Sequence, residues 1–175
     1  MGMALVIIDV QRGMFALPDT PPHDGEAVVD RIAALIVQAR AAGVPVFFVQ
    51  HAGGPEEPYF RPDGEGFPFH RKLTPQSADP VTVKQKSSAF TGTDFDLKLR
   101  RAGIDHLVIT GMQSEYCVDS AVRGAAERGY EITLVADGHS TFDTKVAKAA
   151  QIIAIQNDTL SGSFATLVSA GEVRF

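Results

Sequence analysis

The chain has one cysteine, Cys117, and no tryptophan among its 175 residues. A single thiol excludes an intramolecular disulfide framework, a CxxC redox pair and a multi-cysteine zinc site. No apolar run reaches the roughly 20 residues that a membrane-spanning helix needs. The opening Met1-Gly2-Met3-Ala4 lacks the basic stretch of a secretory signal, so the expected location is the cytoplasm. Basic residues are in the minority, 16 Lys and Arg against 21 Asp and Glu, for a formal charge of −5. That balance argues against nucleic acid or an acidic membrane as a partner. The five histidines, His23, His51, His70, His106 and His139, show no HxH or HExxH spacing, so no metal centre is expected. There is no repeat of fixed period and no low-complexity tract.

What is present is an ordinary globular composition, 45% hydrophobic and 21% charged. The length favours one domain over residues 1–175. Short apolar runs alternate with amphipathic ones. Ala4–Ile8, Pro45–Gln50, His106–Thr110 and Glu131–Val135 are too short for helices and suit strands buried on both faces of a parallel sheet. Val81–Val83 and Phe164–Val168 are weaker strands. Between them, Glu26–Ala42 carries Val28, Ile32, Leu35, Ile36 and Ala39 on one helical face. Helices are also expected at about Asp94–Ala102, with Thr93-x-x-Asp96 as its capping box, and at Val118–Arg128. A last one is capped by Asp143 and buries Val146, Ala149, Ala150 and Ile153. Gly43, Gly103 and Gly129 each stop a helix just before a strand. Helix–Gly–strand repeated three times means β-α-β crossovers. The expected fold is α/β, a three-layer α/β/α sandwich around a mainly parallel sheet.

One stretch, at about 52–80, breaks the alternation with four glycines and six prolines. A connection this long without regular structure is usually a lid, a binding loop or a subunit contact.

Ligands of open parallel sheets bind beyond the carboxyl ends of the strands. Asp9, His51, Lys84, the run Gly111–Cys117, Asp137 and His139 are expected there. Cys117 also begins a helix, where the partial positive charge and free N–H groups favour a thiolate and an oxyanion. Its alternative reading is a small buried hydrophobe. Asp9 closes an apolar strand and is either a cap or a general base; Lys84 is either a solvated lysine or its cation. Together they would supply a nucleophile, a base and an orienting charge.

These residues fall in a pattern that resembles the isochorismatase-like cysteine hydrolases, a family that includes nicotinamidases and N-carbamoylsarcosine amidohydrolase. Val6-Ile7-Ile8-Asp9-Val10-Gln11 is similar to the family's opening strand. Val83-Lys84-Gln85-Lys86-Ser87-Ser88-Ala89-Phe90-Thr91-Gly92-Thr93-Asp94 is similar to its lysine segment, and Leu107–Gly111 leading to Cys117-Val118 to its nucleophile strand and turn. The resemblance covers nearly the whole chain. It implies a parallel sheet of about six strands, Cys117 as nucleophile, Asp9 as general base and acid, and Lys84 as cation. It also implies a cis Met112–Gln113 peptide, with the N–H groups of Gln113 and Cys117 receiving the oxyanion. The cysteine points to amide substrates rather than isochorismate. The metal-binding Asp-x-His pair of nicotinamidases is absent at Val49-Gln50-His51, so neither metal nor cofactor is expected. Gln11, Phe15, His51, Phe90, Ser114 and Tyr116 are candidates for substrate contact. The expected partner is a small amide-type molecule, and the chain is expected to form a homo-oligomer, dimer or tetramer. A non-catalytic binding protein and a redox-sensing thiol protein are the alternatives on the same fold.

Overall fold

The computed structural model describes residues 2–16 and 20–175. The opening apolar run forms β1 (Gly2–Ile8). Successive side chains of a strand point to opposite faces of a sheet. Ala4, Val6 and Ile8 accordingly enter one core, Leu5 and Ile7 the other. The remaining strands are β2 (Val46–His51), β3 (Val81–Lys84), β4 (Ile104–Met112), β5 (Glu131–Ser140) and β6 (Thr166–Val168). They form a six-stranded sheet in the order β3-β2-β1-β4-β5-β6. Every neighbouring pair is parallel.

Helix α1 (Gly25–Ala41) covers one face. Its Val28, Ile32, Leu35, Ile36 and Ala39 pack with Leu5, Ile7, Phe48 and Val108. Helices α2 (Phe95–Arg101), α3 (Asp119–Ala126) and α4 (Ala149–Leu160) cover the other. There Leu99, Ala121, Val122, Ala125 and Leu160 pack with Val6, Phe47, Leu107 and Ile109. This is the expected three-layer sandwich. Gly43, Gly103 and Gly129 have φ of +72°, +68° and +83°, the left-handed stop conformation. Among the described residues no helix is long and apolar enough to cross a membrane.

Several local expectations change. The Thr93 hydroxyl accepts the Phe95 N–H at 3.3 Å, and Asp94 is the residue that precedes α2. Asp96 is therefore not a capping partner; it binds Arg100 and the Tyr130 hydroxyl. Val146 lies outside α4 and is 94% exposed. The chain enters that helix at Lys148, whose N–H is taken by Gln151 Oε1, while Asp143 reaches forward to accept the Ala149 N–H. Asp137 and His139 lie inside β5 rather than beyond it, because that strand continues past a register shift opposite Ile109 and Gly111. The stretch at 52–80 is partly ordered by 3-10 turns at Pro58–Phe60 and Arg71–Leu73 and by a bridge from Phe69 to Gln11.

The strand order reverses at β1 and β4, which opens a crevice at their carboxyl ends. Gly111 makes the close approach there possible. Its φ is +132°, and a Cβ on it would lie 2.1 Å from the Ile8 carbonyl oxygen. Gly111→Ala is expected to cost about 3 kcal/mol or more, from backbone strain added to a clash with a fixed carbonyl. A urea midpoint unchanged from wild type would contradict this.

Candidate active site

Asp9 is the residue after β1. It has a φ of +51° and no exposed surface. An unpaired carboxylate in such a place would be strongly destabilising. Its partner is Lys84, the last residue of β3, whose Nζ lies 2.6 Å from Asp9 Oδ2. Both side chains are fully withdrawn from water. The ammonium has three N–H donors and no acceptor. Besides Asp9 it meets the Lys86 carbonyl at 3.1 Å and Cys117 Sγ at 3.2 Å. Asp9 Oδ1 has no hydrogen-bond partner among the described residues.

Cys117 follows β4. The chain leaves the strand through Gln113 and makes one wide π-type turn over Ser114–Val118 before α3 begins. The expected single helix from Val118 is thus preceded by this turn, and Cys117 sits within it. The Met112–Gln113 peptide is cis. Among the described residues, none of the turn, loop and cap hydrogen bonds between backbone groups uses the Gln113 N–H.

The protonation pattern differs from that expected of a helix start. Burial, with the Asp9 charge adding to it, pushes the Cys117 thiol up to about 12, against the opposing pull of Lys84. The resting cysteine is therefore a thiol at neutral pH, not a thiolate. Burial also raises the Asp9 pKa, although Lys84 pulls it back. For Lys84, burial favours loss of the proton, but the Asp9 charge and the hydrogen bonds to Asp9 and Cys117 outweigh it and the net direction is up. The group that keeps its charge is the lysine. A carboxylate made more basic by burial, beside a protonated thiol, is arranged to take that proton and return it. Alkylation of Cys117 by iodoacetamide is expected to rise about tenfold per pH unit from about pH 7 to about pH 10, following the thiolate fraction. A plateau near neutral pH would contradict the raised thiol.

Above the thiol is a pocket of about 230 Å³ lined by Asp9, Met14, His51, Glu57, Phe60, Ser87, Gln113, Tyr116 and Cys117. Of the candidate contact residues, His51 and Tyr116 reach it. Gln11 does not: it is fully buried, its amide donates to the His51 and Phe67 carbonyls, and its carbonyl accepts the His51 N–H. It ties the end of β2 to the loop. Phe15 packs on the His70 ring instead. Phe90 belongs to the core, against Phe95 and Tyr130. Ser114 is fully buried behind the turn and bonded to His139 Nδ1 at 2.8 Å.

That bond begins a chain. Asn157 gives its NH₂ to the Ala136 carbonyl, so its oxygen faces His139 Nε2, which donates to it. Nδ1 then accepts from the Ser114 hydroxyl. Burial lowers the His139 pKa, which keeps the ring neutral in this role. Ser114 and His139 thus anchor the turn that carries Cys117 to β5 and α4. Sequence reasoning missed Met14, Glu57 and Ser87 in the pocket. The length of the 52–80 stretch marked it as functional, but nothing in its composition singles out Glu57. Among the described residues no cluster of three or more His, Cys, Asp or Glu side chains is placed to hold a metal ion.

Comparison with known proteins places the chain in a family. The isochorismatase domain model matches residues 3–170. An uncharacterized isochorismatase family protein of Bacillus subtilis, YddQ, is 33% identical over 172 residues, covering 95% of this chain and 96% of its own. Ureidoacrylate amidohydrolase RutB of Pseudomonas syringae is 30% identical, covering 87% of this chain and 76% of its own. Among solved structures, an isochorismatase from Pseudomonas putida superposes with a TM-score of 0.91 at 28% identity, covering 98% of this chain and 90% of that one. The sandwich, the crevice at β1 and β4, and a match over nearly every residue together establish that this chain belongs to the isochorismatase family of hydrolases.

Proposed function

We propose that this chain hydrolyses a C–N bond of a small molecule through a thioester on Cys117. The observation that carries this reading is the meeting of a buried Asp9–Lys84 pair with the chain's one thiol beneath a pocket. Similarity to an amidohydrolase supports an amide-type substrate.

In the proposed reaction, Asp9 takes the thiol proton as Sγ attacks the carbonyl carbon. The Lys84 charge stabilises the sulfur as it becomes negative. The Gln113 and Cys117 N–H groups receive the developing oxyanion, and each such donor is worth about 3–4 kcal/mol in comparable sites. Asp9 returns its proton to the departing nitrogen, so an amine or ammonia leaves and an acyl thioester remains. A water molecule, deprotonated by Asp9, attacks that thioester. The products are a carboxylic acid and the restored thiol.

The test is a panel of small primary amides, ureas and lactams, read by release of ammonia or amine, with Cys117→Ala as the control. Release that depends on Cys117 supports the reading. Equal release by the variant overturns it.

A further inference from the structure

The charges around the pocket are unequal in a way the hydrolytic chemistry does not explain. Lys84 is the nearby cation, but its side chain is fully buried and its three donors are spent on Asp9, Lys86 and Cys117. Among the described residues no lysine or arginine lines the pocket. Asp9 is neutralised by Lys84. Glu57 remains, a carboxylate with a half-exposed side chain at the pocket wall. Among the described residues its close polar neighbours are His51 Nε2 at 3.1 Å and, weakly, the Gly54 N–H at 3.4 Å. A carboxylate accepts only, so His51 Nε2 is the donor of that bond.

Glu57 is held there by construction. The Gly53 N–H binds the Phe60 carbonyl, and the Phe60 N–H binds the Glu57 carbonyl. A Cβ on Gly53 would lie 2.7 Å from the Glu57 Cβ and 3.0 Å from the Phe60 Cβ, so only glycine lets this turn close on itself. A Cβ on Gly13 or Gly66 would likewise clash with the Tyr59 carbonyl oxygen. Phe60 and Tyr116 line the same pocket. An acceptor carboxylate with aromatic walls and no free cation matches a positive or donor-rich group, which carboxylates and rings both attract. An anionic group at that end would meet like charge, with the His51 imidazole as the neighbouring donor. The volume, about 230 Å³, lies below the roughly 300–1,000 Å³ of sites for drug-sized ligands.

We infer that Glu57 sets substrate specificity: it receives an amine- or amidine-type cation at the far end of a small amide and turns anionic amides away. This rests on the hydrolase reading for the word substrate, and the charge preference itself can be measured without turnover.

Because Cys117 is the one thiol, three methanethiosulfonates of like reactivity report on this pocket alone. One carries an ethylammonium group, one a methyl group and one an ethylsulfonate. Each forms a mixed disulfide with Sγ and releases methanesulfinate, and the rates are referred to those of a simple thiol in solution. Wild type should prefer the cationic reagent over the anionic one. Glu57→Gln, which keeps an acceptor for His51, should lower that ratio at least threefold, and Glu57→Lys should lower it further. Equal ratios in wild type and both variants overturn the inference, whatever the amide panel shows. A shifted ratio in a chain without Cys117-dependent hydrolysis would sustain the charge assignment and sink the hydrolase reading instead. In the panel, Glu57→Gln should raise KM for aminoalkyl amides by a larger factor than it raises KM for uncharged ones.

Discussion

Cys117→Ala is expected to lose amide hydrolysis by about ten-thousand-fold or more while keeping its fold. The substitution removes one sulfur from a partly exposed position on a turn. Lys84 loses a weak acceptor but keeps Asp9 and the Lys86 carbonyl. The turn keeps its anchor through Ser114 and His139. Stability should therefore change by about 1 kcal/mol or less, the range of a substitution that breaks no buried network. Asp9→Asn should lose activity to a similar extent for a different reason. The amide keeps the shape of the carboxylate but cannot take the thiol proton, and burial leaves that thiol protonated at neutral pH. A rate above about a tenth of wild type in either variant would contradict the assigned roles.

Lys84→Met is expected to lower folding stability by about 3–5 kcal/mol, the effect of stripping one partner from a buried ion pair. The side chain has no exposed surface, and its ammonium is the cation paired with Asp9. Asp9 Oδ1 already lacks a hydrogen-bond partner among the described residues, so the stranded carboxylate finds no relief nearby. The pH dependence has a definite sign. Burial places the folded-state pKa of Asp9 above its unfolded value, and loss of Lys84 moves it further up. The deficit is then fullest above the folded pKa. It shrinks as pH falls through that value and fades once pH is below the folded-state pKa of Asp9 in the wild type, itself raised by burial. Replacing both partners, Asp9→Leu with Lys84→Met, should recover much of the loss because no charge remains buried. Urea denaturation of the three variants measures this. A loss below about 1 kcal/mol for Lys84→Met would show that the pair is not energetically coupled.

The parts of this molecule most legible in the sequence are those set by local pattern. The strand at Ala4–Ile8 reads as buried on both faces because five apolar residues leave no polar side, and β1 buries all five. The helix at Glu26–Ala42 follows from the spacing of Val28, Ile32 and Leu35, and α1 begins within a residue of it. Asp9, Lys84 and Cys117 each follow or end an apolar strand, which is enough to send them to one edge of a parallel sheet. Their contacts are not local: a chain separation of 33 residues lies between Lys84 and Cys117. The resemblance to a known family, rather than periodicity, singles them out together. Two kinds of feature stayed hidden. Gln11, Phe90 and Ser114 sit beside site residues in sequence, yet their side chains turn into the interior, a choice made by tertiary packing. Glu57 reaches the pocket through a turn fixed by close glycine contacts that no alternation encodes. The raised thiol pKa also needs the structure, because it depends on how much water is excluded around Cys117.

The central claim is that Cys117 carries the acyl group between the two halves of the reaction. It is tested most directly by rapid acid quench of the chain during turnover of an amide from the panel, followed by intact-mass measurement. The account predicts an added mass equal to the acyl portion, mapped by peptide digestion to Cys117 and absent from Cys117→Ala. Continued turnover with no such adduct, at an equal rate in Cys117→Ala, would contradict it.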